Sequence, residues 1–185
     1  MTGFRLHLLR HGEPALTGRM LGRTDSPATT AGVAACVARA SGLDVTRRIA
    51  SDLSRARACA EAIGPTEVDP RWRELDFGDW DGLAASDIDP EALRQFWNDP
   101  DAAPPPGGER WSDLVARVRA AIVDLSPEPT LIVTHGGTMR AALHVLCGFD
   151  LRACWSFALP YAALVTLDVW DGEPRNAQVT GLVTA

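Results

Sequence analysis

Four short segments of the sequence carry the side chains that could do chemistry. They are Arg10-His11-Gly12-Glu13, Ser51-Asp52-Leu53-Ser54-Arg55-Ala56, the stretch from Glu74 to Gly82, and Thr134-His135-Gly136-Gly137. Together they supply two imidazoles, two guanidiniums and a carboxyl group. Guanidinium forks match the oxygens of a phosphate dianion in shape and charge, and a neutral imidazole is a nucleophile. The set is suited to metal-free transfer of a phosphoryl group to a protein nucleophile.

The composition excludes several other classes of protein. All 18 basic residues are arginines, so the chain has neither a Walker A phosphate loop nor a Schiff-base lysine. A net charge of -6, with no basic run longer than Arg47-Arg48, argues against a nucleic-acid partner. The cysteines lack zinc-site spacing, which predicts no metal, and no apolar run is long enough to cross a membrane. We therefore expect a cytoplasmic protein without a membrane partner.

Alternating strand and helix patterns must position these segments. Apolar stretches predict strands at residues 4–9, 48–51, 130–134, 162–169 and 178–183. Helical spacing predicts helices at residues 30–41, 53–63, 90–97, 111–125 and 138–146. This order predicts an α/β fold, a three-layer sandwich with a mostly parallel central sheet, whose ligand site lies at the carboxyl ends of the strands.

The expected domain spans residues 1–185 and has one irregular segment. Residues 73–110 are rich in Asp, Gly, Pro and Trp, which indicates a cap insertion. Four of the six tryptophans fall in or beside it: Trp72, Trp80, Trp97 and Trp111. Packing of a cap that has few aliphatic residues is the favoured interpretation of these rings. The alternative is an aromatic wall that stacks on a ring of the substrate.

The order and spacing of these motifs resemble a known family nearly end to end. The matching residues are the Arg10-His11-Gly12-Glu13 opening, Leu21 to Pro27 with Thr30 and Gly32, Ser51-x-Leu53-x-Arg55-Ala56, Glu74 with the run from Phe77 to Gly82, Gly107-Gly108-Glu109, and Val133 to Gly137. The sequence is similar to the histidine phosphatase superfamily in its phosphoglycerate-mutase-like branch, above all to short enzymes of the α-ribazole-phosphatase type.

The resemblance implies a role for each site residue. His11 would carry a phosphohistidine intermediate, Arg10, Arg55 and His135 would contact the phosphate, and Glu74 would be the proton donor. Further substrate contacts fall on Thr17, where relatives commonly have asparagine, and on Gly22 and Gly136. The implied substrate is a small-molecule phosphate ester such as α-ribazole 5′-phosphate, with no cofactor; monomer and homodimer both stay open.

Physical chemistry adds expectations for the two histidines. His11 must attack as a neutral imidazole, and Arg10 and Arg55 should favour that form by lowering its pKa. A backbone carbonyl on the other ring nitrogen would fix the tautomer. His135 would donate a hydrogen bond to the transferring phosphoryl group, and the backbone amides of Gly136 and Gly137 could add donors at a helix start. His7, His144 and Arg140 are interpreted as structural.

Two other functions fit parts of the pattern. A phosphoglycerate-type mutase must hold a second phosphate under the cap, but residues 73–110 contain three arginines and ten acidic residues, a local charge of -7. Such a field should repel a second phosphate, which favours hydrolysis. A regulatory phosphatase acting on phosphohistidine or phosphotyrosine of a protein is the other alternative. Compact phosphohistidine phosphatases resemble the opening motif but are shorter and lack the cap.

Overall fold

The computed structural model describes residues 3–184, so the expected domain bounds at residues 1 and 185 lie outside the described residues. The strands are β1 (Gly3–Arg10), β2 (Arg47–Ala50), β3 (Glu67–Val68), β4 (Thr130–Thr134), β5 (Leu164–Trp170) and β6 (Asn176–Val183). The helices are α1 (Thr30–Ala40), α2 (Ser54–Ile63), α3 (Pro90–Asn98), α4 (Trp111–Val123), α5 (Gly136–Cys147) and α6 (Leu151–Trp155). None of the helices within residues 3–184 has the length and apolar character needed to cross a bilayer.

The strands form one sheet in the order β3-β2-β4-β1-β5-β6, covered by helices on both faces. Successive strand residues face opposite sides of a sheet, so Leu8 and Ile132 pack in one cluster with α4 and α5, whereas Leu9 and Val133 pack in another with α1 and α2. All five residues of β4 are buried, as expected for a strand covered on both faces. The predicted three-layer α/β fold is confirmed.

The sheet is mixed, with a parallel half and an antiparallel edge. Strands β3, β2, β4 and β1 run parallel, while β5 pairs antiparallel with both β1 and β6. The short connection at residues 171–175 joins β5 to β6 and cannot hold the crossover that a parallel pair needs. The sequence patterns missed β3 and α6, which have two and five residues and are too short to show a period.

Pairing of β1 with β4 determines where the chain's two motif histidines lie. Arg10, the last residue of β1, is the register partner of Thr134, the last residue of β4. The amide of His11 continues the ladder by donating to the Thr134 carbonyl at 2.9 Å. Both strands therefore deliver the next residue, His11 or His135, to the same sheet edge, as the sequence predicts.

The segment at residues 73–110 joins the outer strand β3 to α4 and contains α3. Its backbone is tied together at two loops, where the Asp79 amide donates to the Pro106 carbonyl at 2.8 Å and the Glu109 amide to the Asp76 carbonyl at 2.9 Å. Gly78 lies at that contact with φ +51°, and a Cβ there would be 2.2 Å from the Pro106 carbonyl oxygen. The segment also contributes Phe96 to the larger hydrophobic cluster.

We predict that Gly12→Ala lowers the free energy of unfolding by about 3 kcal/mol, because overpacking forces the backbone apart. A Cβ at Gly12 would be 2.1 Å from the carbonyl oxygen of Gly32 in α1, a rigid neighbour. The control is Gly42→Ala, where a Cβ would meet nothing within 4 Å and only the φ of +80° is unfavourable, at about 1 kcal/mol. Urea unfolding measures both; equal losses would contradict the close approach of the loop to α1.

Candidate active site

His11 is buried where the chain leaves β1, with only 4% of its surface exposed. Its Nδ1 lies 2.7 Å from the Gly12 carbonyl oxygen, which only accepts hydrogen bonds, so Nδ1 is the donor. That tautomer leaves the Nε2 lone pair free. The imidazole can therefore attack through Nε2.

Burial is the largest influence on the ionisation of His11. It lowers the pKa of the imidazole well below its usual value of 6.5, and the positive charges of Arg55 and Arg10 lower it further, while the Gly12 hydrogen bond acts in the opposite direction. The two arginines act as the sequence predicts, but burial, which the sequence does not reveal, lowers the pKa of His11 more than either of them. The ring is therefore neutral near pH 7, as a nucleophile requires.

Two buried thiols lie behind the loop that carries His11. The Gly12 amide donates to Cys59 Sγ at 3.3 Å, and Cys36 Sγ donates to the Arg10 carbonyl at 3.6 Å. Both cysteines are fully buried and free of disulfides. They support the backbone on either side of the nucleophile.

Arg10 and Arg55 are held by carbonyl oxygens. Arg10 Nη1 donates to the Leu159 carbonyl at 2.6 Å, and its guanidinium carbon lies 4.4 Å from the centre of the Tyr161 ring. Arg55 is 1% exposed and donates from Nη1 and Nη2 to carbonyls at 2.8 to 3.0 Å: those of Leu21, Gly22 and Thr24. The Nε atoms of both arginines are buried and have no hydrogen-bond partner within residues 3–184. Each guanidinium therefore keeps a donor for a ligand.

His135 is fully buried, and its ring centre lies 5.0 Å from that of His11. Its Nε2 is 2.9 Å from Ser51 Oγ, and Ser51 Oγ also accepts from the Leu53 amide at 3.3 Å. The Ser51 hydroxyl has a second lone pair, so it can either donate to Nε2 or accept from it, and this contact is compatible with both tautomers of the ring. Nδ1 is buried and has no partner in the described part of the chain. Burial, followed by His11, Arg55 and Arg10, lowers the pKa of His135 well below 6.5.

Glu74 faces the start of α5. Its Oε2 accepts from the Gly137 amide at 3.0 Å and its Oε1 from the Leu75 amide at 2.9 Å. A Cβ on Gly137 would be 2.3 Å from Oε1, so only glycine permits this approach. The expectation that the Gly137 amide is free to bind an anion is wrong, because that amide is bonded to Glu74. Gly136 lines the adjacent cavity.

Arg117 on α4 fixes the backbone at Glu74. Its Nη2 donates to the Glu74 carbonyl at 2.9 Å, and its Nη1 donates to the Arg73 carbonyl at 2.8 Å. The same guanidinium pairs with Glu109 through Nε at 2.7 Å and Nη2 at 2.9 Å, with both side chains mostly buried. Glu109 in turn accepts from the Asp76 amide at 3.2 Å. These contacts connect the Glu74 segment to α4 and to the end of the cap segment.

Two predicted substrate contacts lie elsewhere. Thr17 is exposed in the loop after His11, beside Gly18 with its φ of +69°, and is not among the residues that line the cavity. Gly22 also lies outside the lining: its carbonyl accepts from Arg55 Nη2 at 3.0 Å, and a Cβ there would be 2.5 Å from the Leu75 carbonyl oxygen. The structure therefore places Gly22 as a support of Arg55 and leaves Thr17 at the surface.

A cavity of about 280 Å³ opens beside His11, Arg10 and Glu74. Arg140, interpreted from the sequence as structural, lines it: Arg140 lies one turn into α5 from Gly136 and donates from Nη1 to the Gly136 carbonyl at 3.1 Å. Its guanidinium carbon is 4.0 Å from the centre of the Trp155 ring. The i, i+4 spacing on α5 was the signal that could have placed Arg140 beside Gly136.

The acidic residues of the cap segment do not give the cavity a negative wall. Of the ten acidic residues at positions 73–110, Glu74 alone is in the lining. Three of the others have partners of their own: Asp76 pairs with Arg23 at 3.1 Å, Asp89 caps α3, and Glu109 pairs with Arg117. The local charge of -7 is therefore not the charge that a ligand meets. Among residues 3–184, no group of three or more His, Cys, Asp or Glu side chains is arranged to hold a metal ion.

Comparison with known proteins agrees with this geometry. Residues 6–180 match the histidine phosphatase superfamily (branch 1). The chain is 33% identical over 165 residues to glucosyl-3-phosphoglycerate phosphatase of Mycobacterium tuberculosis (strain ATCC 25618 / H37Rv), covering 76% of this chain and 74% of that protein. It is also 33% identical over 166 residues to the probable phosphoglycerate mutase GpmB of Enterobacter sp. (strain 638), covering 80% and 77%.

Two solved structures show the same similarity in three dimensions. The native mycobacterial glucosyl-3-phosphoglycerate phosphatase superposes with a TM-score of 0.86 at 27% identity, covering 99% of this chain and 100% of that one. A putative alpha-ribazole-5′-P phosphatase from Escherichia coli K-12 gives a TM-score of 0.80 at 25% identity, covering 95% of each chain. The chain belongs to the histidine phosphatase superfamily, branch 1, and is a phosphatase.

Proposed function

We propose that the chain is a metal-independent phosphomonoesterase that hydrolyses a small-molecule phosphate ester through a phosphohistidine on His11. One observation carries the proposal: a neutral imidazole with a free Nε2 lies beside two buried guanidinium N–H donors and one buried imidazole nitrogen that lack partners within the described residues, namely Arg10 Nε, Arg55 Nε and His135 Nδ1. A group of buried polar atoms without partners around one nucleophile is uncommon in folded proteins, and a bound ligand accounts for it. The positive charge of the two guanidiniums selects an anion.

The reaction has two displacement steps. His11 Nε2 attacks phosphorus, the bond to the ester oxygen breaks, and Glu74 gives its proton to the departing alcohol. Water then attacks the phosphohistidine, gives a proton to the Glu74 carboxylate, and the bond from phosphorus to Nε2 breaks to release inorganic phosphate. Arg10, Arg55 and the His135 Nδ1–H stabilise the equatorial oxygens in both transition states. Two guanidiniums supply the positive charge that a metal ion gives in other phosphatases.

The similarity to GpmB raises the mutase reaction as an alternative, but the cavity favours hydrolysis. A bisphosphate needs a second cluster of basic side chains in the cavity. Beyond Arg10, the arginines lining it are Arg19 and Arg140, and Arg140 lies next to Arg10 beside Gly136, which leaves Arg19 as the one further arginine of the described lining for a second phosphate. A cavity of about 280 Å³ also suits a small molecule better than a phosphorylated protein side chain and its backbone.

The proposal predicts a phosphoenzyme that forms without metal. Incubation with a ³²P-labelled phosphomonoester in EDTA should give an acid-labile, alkali-stable label on the protein, together with release of phosphate. His11→Gln should lose the label and at least about 10⁴-fold in turnover, because the nucleophile is gone. His144→Gln is the matched control and should keep both, since His144 Nδ1 bonds the Phe149 carbonyl away from the site. Turnover that stops in EDTA and returns with a divalent ion would contradict the proposal.

Glu74→Gln should slow release of basic alcohols selectively. A missing general acid costs about 10²–10⁴ in rate, and we expect that loss with an alkyl phosphate. The loss with p-nitrophenyl phosphate should be much smaller, because nitrophenolate leaves without a proton. Any disturbance of the Gly137 and Leu75 hydrogen bonds would affect both esters alike, so the ratio of the two losses reports proton donation. Glu61→Gln on the exposed side of α2 is the control; equal losses with the two esters would reassign the proton to another donor.

Ser51→Ala should disturb the tautomer of His135. The proposed role of His135 needs its ring proton on Nδ1, with the Ser51 hydroxyl donating to Nε2. Without that hydroxyl the ring proton divides between the two nitrogens, and kcat should fall about tenfold with little change in KM, the scale of one hydrogen bond. Nitrogen-15 NMR of the ring reads the tautomer directly. Ser126→Ala is the control, because Ser126 is exposed between α4 and β4 and is not part of the cavity lining. An unchanged spectrum and an unchanged kcat in Ser51→Ala would refute this assignment.

A further inference from the structure

We infer that the cavity beside the phosphate site receives a leaving group with a planar aromatic ring and few hydroxyl groups. The inference rests on the proposed function, because it concerns the alcohol part of the ester that His11 would attack. It is carried by the side chains that line the cavity away from His11. They are mostly apolar and aromatic, and they include few of the neutral hydrogen-bonding groups that would suit the hydroxyls of a sugar or glycerol phosphate.

Aromatic rings dominate this part of the wall. Six aromatic side chains line the cavity: Phe77, Phe96, Trp97, Trp111, Trp155 and Tyr161. Four of them are in a continuous series of contacts, with ring centres 6.2 Å apart from Phe77 to Phe96, 4.8 Å from Phe96 to Trp97, and 5.1 Å from Trp97 to Trp155. Edge-to-face series of this kind present ring faces and edges to a further aromatic group.

Five of the six tryptophans divide into a packing pair, Trp72 and Trp80, and a cavity set, Trp97, Trp111 and Trp155. Trp72 and Trp80 are 0% and 8% exposed and belong to the hydrophobic core, as the packing interpretation predicts. Trp97 from α3 and Trp155 from α6 are each 45% exposed, although their rings contact each other edge to face. Packing of the cap alone therefore does not explain why the Trp97 ring is half exposed. Large rings that line a cavity and stay half exposed gain further apolar burial only when a ligand covers them.

Polar partners for a sugar are scarce in the same wall. Apart from the Tyr161 hydroxyl, the tryptophan indole N–H groups and the neutral His11, the polar side chains that the described chain contributes to the lining are charged ones: Arg10, Arg19, Glu74 and Arg140. No Ser, Thr, Asn, Gln or Asp of residues 3–184 belongs to it. A hydroxyl that enters an apolar cavity without a partner loses its hydrogen bonds to water, which opposes binding. A leaving group with several hydroxyls is therefore poorly matched to this wall.

Arg140 connects the phosphate end of the cavity to the rings. A Cβ built on Gly136 would lie 3.5 Å from Arg10 Cζ and 3.3 Å from Arg140 Nη1, so the two guanidiniums flank Gly136. Arg140 also stacks on Trp155 at 4.0 Å, and its Nε is buried without a partner inside the described ranges. The rings therefore begin within one side chain of the phosphate contacts. One acceptor on the leaving group can be satisfied there.

The volume suits a bicyclic ring. A dry cavity of about 150 Å³ is enough for benzene in another protein. The cavity here measures about 280 Å³ and extends from Arg10 to the rings of Trp97 and Trp155. A fused two-ring group on a short alcohol fits that space with the phosphate at His11.

The test compares esters that share a primary alkoxide leaving group. Ethyl phosphate, 2-phenylethyl phosphate, 2-(1-naphthyl)ethyl phosphate and glucose 6-phosphate have leaving oxygens of similar basicity, so differences report the remainder of the alcohol. We expect kcat/KM to rise about 10–100-fold from ethyl to the aromatic esters, the scale of burying an aromatic ring. The kcat/KM for glucose 6-phosphate should lie well below that for the naphthyl ester.

Trp97→Leu tests whether the aromatic side chains of the cavity recognise the leaving group. The ratio of kcat/KM for the naphthyl ester to that for ethyl phosphate should fall about tenfold, with the ethyl ester as internal reference. Trp170→Leu is the matched control, because Trp170 lies at the end of β5 outside the cavity lining, and it should keep the wild-type ratio. Thermal unfolding confirms that both variants are folded, and the wild-type ester series decides the matter if one is not.

The outcomes separate this inference from the proposed function. Equal or better turnover of ethyl phosphate and glucose 6-phosphate, with a phosphoenzyme on His11, would overturn the aromatic leaving group and leave the phosphatase mechanism intact. A loss in Trp97→Leu that is equal for both esters would likewise overturn it, because Trp97 would then only pack α3 against α6. Absence of a phosphoenzyme with every ester would remove the proposed function and this inference together.

Discussion

The parallel pairing of β1 with β4 is the constraint on which the site depends. Because Arg10 and Thr134 are register partners, the two strands deliver His11 and His135 side by side, with ring centres 5.0 Å apart. The same central position buries both rings, and burial is the first cause of their lowered pKa values. Neutral imidazoles at the edge of a covered sheet thus follow from strand order and register, before any charged neighbour is considered.

The positive charges of Arg10 and Arg55 stay available to an anion because the partners of both side chains are uncharged. Arg10 and Arg55 donate to backbone carbonyls, which hold a guanidinium in place without cancelling its charge. Elsewhere arginines pair with carboxylates, as Arg73 does with Asp52 and Arg117 with Glu109. Glu74 is likewise held by backbone amides. The site therefore keeps free positive charge for an anion, although the chain as a whole is acidic.

The sequence predicts the features that depend on the order of residues along the chain. It does not predict the features that depend on where a side chain points. The α/β fold and the strand-end positions of His11 and His135 follow from periodicity and from the strand-end rule. The direction of a side chain follows from neither, so Arg140 was missed, and Thr17 was assigned by position alone although its loop lies at the surface. The summed charge of residues 73–110 was a poor guide to the charge that a ligand meets for the same reason. The sum counts Glu109, although Glu109 faces Arg117 and not the cavity.

The two thiols behind the His11 loop carry a consequence for how inhibition is interpreted. Cys59 Sγ accepts from the Gly12 amide and Cys36 Sγ donates to the Arg10 carbonyl, so both sulfur atoms support the backbone that orients the nucleophile. An alkylating or oxidising reagent that reaches them during local opening would add bulk in a space where none is free, and the loop would shift. Inactivation by such a reagent would imitate that of a cysteine-dependent phosphatase, although no sulfur takes part in the proposed phosphoryl transfer.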